Sequence, residues 1–171
     1  MFNLNDNLKN KKILIYGYGK SGQASFKYLK KNNKISIYDD NIKVKKSSIS
    51  FKKIRISEFD YIVLSPGIDI NKCKLKKYIK KNKRKIVTDL DIFHLNNPKN
   101  LKITITGTNG KSTTAKLLFK ILKDQNKDVK LIGNIGIPVL SRNKIKHSTI
   151  FVIEASSYQI DYSQYFKTDY A

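Results

Sequence analysis

Two segments of this 171-residue chain share one local order: a short apolar run, a glycine-rich loop and then a longer amphipathic run. The first apolar run covers residues 12–16 and leads into a loop at 17–22. The second covers residues 101–106 and leads into a loop at 107–113. Short β-branched runs that alternate with helical runs are typical of a parallel α/β sheet. We therefore predict an α/β fold in which each loop joins the carboxyl end of a strand to a helix.

The other apolar runs continue this alternation along the chain. We predict further strands at 35–38, 60–64, 85–87, 129–132 and 148–153, a weaker strand at 53–56, and helices at 21–31, 75–81, 89–95 and 111–123. The turn-forming cluster at 96–100 divides the elements into two series. The sequence thus predicts two units, 1–97 and 98–171, and the second has fewer strands than a typical sheet.

The chain has a formal charge of +22, from 35 basic and 13 acidic residues. The basic residues are spread over many short segments, such as Lys30-Lys31 and Lys80-Lys81, and we find no nucleic-acid-binding motif among them. We interpret the charge as a composition bias and expect no nucleic-acid partner. A positive field still raises the local concentration of phosphorylated ligands.

The apolar content favours a folded protein outside the membrane. Hydrophobic residues make up 40% of the chain, which is enough for a packed core. No apolar run reaches the roughly 18 residues that a membrane-spanning helix needs, and residues 1–6 do not read as a signal peptide. Cys73 is the only cysteine, so we expect no internal disulfide. We predict a cytoplasmic protein without a membrane partner.

The second loop reads Gly107-Thr108-Asn109-Gly110-Lys111-Ser112-Thr113. Where such a loop meets a helix N-terminus, backbone N–H groups converge on phosphate oxygens. We expect Lys111 to neutralise the β- and γ-phosphates and the Ser112 hydroxyl to reach Mg²⁺. The loop departs from the general phosphate-loop pattern at Ile105, where that pattern has a glycine. We predict that the whole loop binds ATP with magnesium, with Lys111 as a catalytic residue.

Glu154 follows the predicted strand at 148–153. The magnesium-binding acid of phosphate-loop NTPases lies at such a strand end, and Mg²⁺ favours one or two carboxylates together with phosphate oxygens and waters. The alternative is an ordinary surface glutamate. Beside the phosphate-binding loop we favour the metal role, so Ser112 and Glu154 are the predicted magnesium ligands.

The first loop, residues 17–22, contains Gly17, Gly19 and Gly22 between a strand and a helix. Asp39 ends the next predicted strand, near the spacing expected for an acid that contacts a ribose. This pattern fits three alternatives equally: a dinucleotide site, a nucleotide-sugar site, or a purely structural turn.

Five motifs together resemble the Mur ligases over essentially the whole chain. They are Gly17-Tyr18-Gly19-Lys20-Ser21-Gly22, Ser65-Pro66-Gly67-Ile68, Thr106-Gly107-Thr108-Asn109-Gly110-Lys111-Ser112-Thr113, Gly133-Asn134-Ile135-Gly136 and Glu154-Ala155-Ser156-Ser157-Tyr158-Gln159. The Gly-Thr-Asn-Gly-Lys-Ser-Thr string is typical of the wider family and accounts for Ile105. The first loop and the Ser-Pro-Gly-Ile string point to the branch that adds D-glutamate to UDP-N-acetylmuramoyl-L-alanine.

The resemblance implies a Rossmann-like parallel-sheet domain over residues 1–97 that holds the UDP part of the substrate. It implies that residues 98–171 are the first part of a P-loop ATPase-type central domain. The implied substrate-binding residues are Lys20, Ser21, Asp40, Asn134 and Ser156. Asp40 and Asn41 stand where the family often has other polar or basic residues.

The implied reaction is ATP-dependent amide formation through an acyl phosphate, in a step of peptidoglycan precursor synthesis. ATP and Mg²⁺ are the implied cofactors, the UDP-sugar and D-glutamate the substrates, and we expect a monomer. Family members continue beyond the region that this chain matches, so we expect an N-terminal portion of such a ligase. Three alternatives stay open: an NAD-binding oxidoreductase, a non-catalytic basic nucleotide- or nucleic-acid-binding module, and a folylpolyglutamate synthase, which lacks the first unit.

Overall fold

The computed structural model describes residues 8–42, 47–141 and 145–171. In these ranges the chain forms seven strands: β1 (Lys12–Tyr16), β2 (Lys34–Tyr38), β3 (Tyr61–Leu64), β4 (Ile86–Thr88), β5 (Lys102–Ile105), β6 (Val129–Gly133) and β7 (Ile150–Glu154). The α-helices are α1 (Lys20–Leu29), α2 (Lys76–Lys81), α3 (Asp89–Asn96), α4 (Lys111–Asp124) and α5 (Ser157–Tyr162). None of the helices in the described part is both long and apolar enough to cross a bilayer. The predicted parallel α/β fold is confirmed.

The first sheet has the strand order β2-β1-β3-β4, and all of its neighbouring strands are parallel. The chain passes from β1 outward to β2 and then back across to β3, so the direction of winding reverses between β1 and β3. Ligands of open parallel sheets bind in the crevice at such a reversal, beyond the carboxyl ends of the strands. The loop after β1 and the Ser65–Ile68 segment after β3 both lie there.

The second sheet has the order β5-β7-β6 and is also parallel. Because β7 lies between the other two strands, its last residue, Glu154, pairs in register with Ile105 on one side and with Gly133 on the other. The glycine loop that follows β5 therefore starts next to Glu154.

The weak strand predicted at 53–56 is wrong. That segment joins two short 3₁₀ turns, Phe51–Lys53 and Ile56–Glu58. Ile54, Ile56 and Phe59 are buried against the first sheet. These residues are apolar because they pack beneath the sheet, and not because they pair as a strand.

Residues 163–171 follow α5, and part of this segment lies along the outer edge of β5. The Thr104 N–H donates to the Tyr170 carbonyl at 2.9 Å, and the Lys102 N–H donates to the Asp169 carboxylate at 2.8 Å. These bonds satisfy backbone groups at the edge of the second sheet.

The two sheets pack against one another through a shared apolar core. Buried side chains of the first unit, such as Val87 and Phe93, belong to the same cluster as Phe151 and Ile153 of β7. The rings of Phe93 and Phe151 meet edge to face, with centroids 4.8 Å apart. The domain limits 1–97 and 98–171 stay a prediction, but the packing joins the units on either side of residue 97.

Polar groups add to this junction at the N-terminus of α3. The Asp91 carboxylate accepts the N–H groups of Gln164, Tyr165 and Phe166 at 2.7–2.9 Å. Its other oxygen accepts the Thr88 N–H, which completes a capping box on α3. One buried carboxylate thus ties the first unit to the segment after α5.

Candidate functional site

A cavity of about 820 Å³ lies at the carboxyl ends of both sheets and is lined by both units. The first unit contributes residues that follow β1, β2 and β3, and the second contributes α4 and the loop after β6. The polar side chains and loop glycines among its lining residues are Gly17, Gly19, Lys20, Ser21, Gly22, Asp39, Asn41, Ser65, Gly67, Lys116, Gly133, Asn134 and Gly136. A volume of this size accommodates a drug-sized or larger ligand.

The 107–113 loop is exposed from Gly107 to Gly110 and begins α4 without a capping side chain from any described residue. Gly107 has φ = 136° and Gly110 has φ = 75°, which are left-handed conformations that favour glycine. The Lys111 ammonium donates to the carbonyl oxygens of Gly107 at 2.6 Å and Thr108 at 3.1 Å. A loop of this shape offers an anion the N-terminus of a 14-residue helix beside one lysine.

The Ser112 hydroxyl donates to the Glu154 carboxylate at 2.7 Å. Glu154 is only 5% exposed and ends β7, whereas Ser112 is in the first turn of α4. The two predicted magnesium ligands, 42 residues apart in sequence, therefore meet in the fold.

A hydroxyl and a carboxylate are hard oxygen donors, so this pair fits Mg²⁺. Among the described residues, no three His, Cys, Asp or Glu side chains group together as a metal cluster. A magnesium ion here would need oxygens from a bound phosphate as well. Mg²⁺ in nucleotide-binding proteins is commonly held in this way, by few protein ligands and the substrate phosphates.

The first loop is held by side chains from neighbouring strand ends. The Asp39 carboxylate accepts the N–H groups of Tyr18 at 2.6 Å and of Asn41 and Ile42 at 2.8 Å. The Ser65 hydroxyl donates to the Gly17 carbonyl at 2.8 Å. Burial raises the pKa of Asp39, the three N–H groups lower it, and the net shift is downward. Asp39 is therefore ionised, and its carboxylate holds the loop in place.

Three of the five predicted substrate-binding residues line the cavity: Lys20, Ser21 and Asn134. The cavity-lining residues among those described include neither Asp40 nor Ser156. Ser156 is the N-cap of α5, and its hydroxyl accepts the Gln159 N–H at 3.2 Å. Its predicted substrate contact would compete with this cap.

Asp40 turns away from the cavity and into the first unit. Its carboxylate accepts the hydroxyl of buried Tyr16 at 2.6 Å and the Lys74 N–H at 3.3 Å. Burial and the hydrogen bond to Asp40 raise the pKa of Tyr16. The neighbouring residues Asp39 and Asn41 face the cavity in place of Asp40. This arrangement does not support a substrate role for Asp40.

Lys116 is a cavity-lining residue that sequence reasoning missed. It lies four residues after Ser112 in α4, and residues with this spacing lie on one side of a helix. The spacing was therefore visible in the sequence, but the lysine-rich composition hid it. Which side of α4 faces the first unit depended on the tertiary structure.

Comparison with known proteins identifies the second unit. Residues 105–171 match the model of the Mur ligase middle domain. This segment begins at the last residue of β5 and contains the 107–113 loop, Glu154 and α5.

The comparison with individual proteins extends over both units. The chain is 36% identical over 159 residues to the UDP-N-acetylmuramoylalanine–D-glutamate ligase of Francisella philomiragia, covering 91% of this chain and 36% of that protein. It is 38% identical over 176 residues to the protein of the same name in Elusimicrobium minutum, covering 93% of this chain and 39% of that protein. The chain thus spans well under half of the length of these relatives.

The match to the middle-domain model and the similarity along nearly the whole chain agree with the order of the five motifs. By these matches the chain belongs to the Mur ligase family.

Proposed function

We propose that this chain provides the UDP-substrate-binding and ATP-binding parts of a ligase that adds D-glutamate to UDP-N-acetylmuramoyl-L-alanine. The observation that carries the proposal is the contact between Ser112 and Glu154 beside the phosphate-binding loop. Glu154 pairs in register with Gly133, which lines the cavity shared by the two units. A nucleotide on the loop and a second ligand in the cavity would therefore lie side by side.

The proposed reaction needs these two ligands to meet. A carboxylate oxygen of the alanyl group attacks the γ-phosphorus of ATP, the bond to the β–γ bridging oxygen breaks, and ADP leaves. The D-glutamate amine then attacks the acyl carbon, loses a proton and displaces phosphate. Phosphoryl transfer depends mainly on positioning the reactants and on neutralising charge. Groups at this site would do both.

Lys111 would move from the Gly107 and Thr108 carbonyls to the β- and γ-phosphates, since phosphate oxygens are charged acceptors and carbonyls are neutral. Ser112 and Glu154 would hold magnesium, which supplies charge neutralisation at the transferred phosphoryl group. Hydrogen bonding between these two side chains keeps both in place for such a ligand.

The first unit would bind the UDP group. Lys20 and Ser21 begin the ten-residue helix α1 and line the cavity. A helix N-terminus with a lysine suits a diphosphate. The NAD alternative has less support because the Asp39 carboxylate, which would have to accept ribose hydroxyls, already accepts three backbone N–H groups.

Isothermal calorimetry of the chain with Mg-ATP, UDP-N-acetylmuramoyl-L-alanine and NAD tests the proposal. We expect heat of binding for the first two ligands. Binding of NAD without a response to the UDP-sugar would favour an oxidoreductase, and binding of ATP alone would favour a simple nucleotide-binding module.

Glu154→Gln tests the metal role. The amide keeps the size of the side chain but loses the charge, so the variant should weaken Mg-ATP binding about tenfold and leave metal-free ATP binding nearly unchanged. Glu58→Gln, at an exposed glutamate away from the site, is the matched control. Equal losses with and without magnesium would contradict a metal role for Glu154.

A further inference from the structure

One side of α4 connects the phosphate-binding loop to the shared cavity. Ser112, in the first turn, contacts Glu154, and Lys116, one turn later, lines the cavity. The rise of an α-helix places the two Cα atoms roughly 6 Å apart along the axis. An extended lysine side chain spans a similar distance, so the Lys116 ammonium can reach the space between the loop and the cavity.

The cavity has an unbalanced positive charge. Its charged lining residues are Lys20, Asp39 and Lys116. Asp39 is engaged by three N–H groups of its own unit. Neither lysine forms an ion pair with another described side chain. The two ammonium groups therefore face the cavity from opposite units, Lys20 from α1 and Lys116 from α4.

Two separate cations fit a ligand with an anionic group at each end. The proposed substrate is of this kind, because it carries a diphosphate at one end and a carboxylate at the other. Lys20 and Ser21, at the start of α1, suit the diphosphate. Lys116 lies on the wall formed by the ATP-binding unit, where the reacting end of the substrate must be.

We propose that Lys116 is a positioning residue that binds the reacting carboxylate of the UDP-sugar substrate and directs it toward the phosphate-binding loop. This inference rests on the proposed function. It adds a specificity element: the site selects a substrate with a free carboxylate at the end of its peptide arm. A long flexible ammonium tolerates variation in the sugar between the two charges.

Calorimetry on the full 171-residue chain, with three ligands, tests the inference. They are UDP-N-acetylmuramoyl-L-alanine, its neutral alaninamide analogue, and UDP. We expect Lys116→Met to weaken binding of the carboxylate ligand about tenfold. The variant should bind the alaninamide and UDP as the wild type does. Lys116→Arg should restore most of the affinity, and Lys120→Met, at an exposed lysine of α4 outside the cavity lining, should change nothing.

The outcomes separate this inference from the proposed function. A wild-type chain that binds none of the three ligands overturns the proposed function and the inference with it. A wild-type chain that binds the carboxylate ligand, with equal affinity in Lys116→Met, overturns the inference alone. Equal losses for UDP and for the carboxylate ligand would place Lys116 on the diphosphate and would also overturn it. Mg-ATP affinity unchanged in Lys116→Met shows that the helix and its loop are intact.

Discussion

The two glycine loops share a local pattern but differ in what holds them. The first loop is packed from outside: Asp39 accepts its Tyr18 N–H, and Ser65 donates to its Gly17 carbonyl. The second loop is exposed from Thr106 to Gly110, and the side chain that bonds to this exposed stretch is the loop's own Lys111, while Ser112 at its end contacts Glu154. One loop is thus braced by the sheet around it, and the other is held by the lysine that would bind its ligand.

This difference indicates different demands from the ligands. A braced loop has its shape before a ligand arrives, which suits the recognition of a large substrate across a wide cavity. An exposed loop with a lysine over its carbonyls can exchange weak internal hydrogen bonds for stronger ones to phosphate. Under the proposed function, the same strand–loop–helix order would serve substrate recognition in one unit and phosphate binding in the other.

The largest expected effect is at the second loop. Lys111→Met removes the one positive charge of the loop and should weaken Mg-ATP binding by about 100-fold or more, since hydrogen bonds between charged groups contribute roughly 1.5–3 kcal/mol each. The fold should be unaffected because Lys111 is partly exposed and bonds only to carbonyls of its own loop. Calorimetry measures the affinity, and Lys120→Met is the control. Unchanged affinity in Lys111→Met would remove the ATP site from the second loop.

The next largest effect is a loss of stability, which we expect because the first loop is tightly packed. A Cβ atom on Gly22 would overlap the carbonyl oxygen of Gly17, whereas one on Gly19 would meet nothing within 4 Å. Gly22→Ala should therefore destabilise the chain by roughly 1–3 kcal/mol, as overpacking does elsewhere. Gly19→Ala should be nearly neutral. Urea unfolding followed by circular dichroism compares the two, and equal stabilities would show that the first loop is not braced.

The first loop and α4 line one cavity only while the two units stay joined. Asp89, at the junction between the units, makes the stability of the chain depend on pH. Its carboxylate is fully buried and accepts the Gln159 amide at 2.6 Å. Burial raises the pKa of Asp89 to about 6, against the lowering effect of that hydrogen bond. Between pH 4 and 6 the folded chain thus holds a proton that the unfolded chain has lost, so this contribution to stability falls as pH rises and stays low above pH 6.

Asp89→Asn removes this titration. The variant should gain stability over the wild type as pH rises from 4 to 7, by on the order of 2 kcal/mol, since each pKa unit corresponds to about 1.4 kcal/mol. An asparagine amide can also donate to Gln159 Oε1, which lacks a hydrogen-bond partner among the described residues. Unfolding curves at both pH values measure the gain. A difference that is constant with pH would mean that Asp89 is already ionised in the fold.

The smallest expected effect is the loss of stability when the hydrogen bond from Ser65, which follows β3, to the first loop is removed. Ser65→Ala removes the hydrogen bond to the Gly17 carbonyl and should cost about 1 kcal/mol of stability. Thr108→Ala, at an exposed position of the second loop, should lie within about 0.5 kcal/mol of the wild type. The same unfolding assay compares the pair. A larger loss from Thr108→Ala than from Ser65→Ala would reverse the contrast between the loops.

Local features of the sequence predicted most of the fold. Apolar runs and glycine loops located the strands of both sheets, because buried β-branched residues and left-handed glycines are local requirements. The same reasoning placed Glu154 at a strand end and Ser112 at a helix start. Their contact required the tertiary strand order as well, in which β7 lies beside β5. The strand predicted at 53–56 failed because burial beneath a sheet gives the same apolar signal as pairing within it.

The choice of partner for each polar side chain was decided only by the tertiary structure. Asp39 and Asp40 are adjacent in sequence, yet one braces the loop at the cavity and the other bonds buried Tyr16. Lys116 is one of many lysines until α4 packs with that side toward the cavity. Composition and periodicity determine which residues are buried. Which distant groups meet depends on how whole strands and helices pack, and the free energy of that packing is spread over both units.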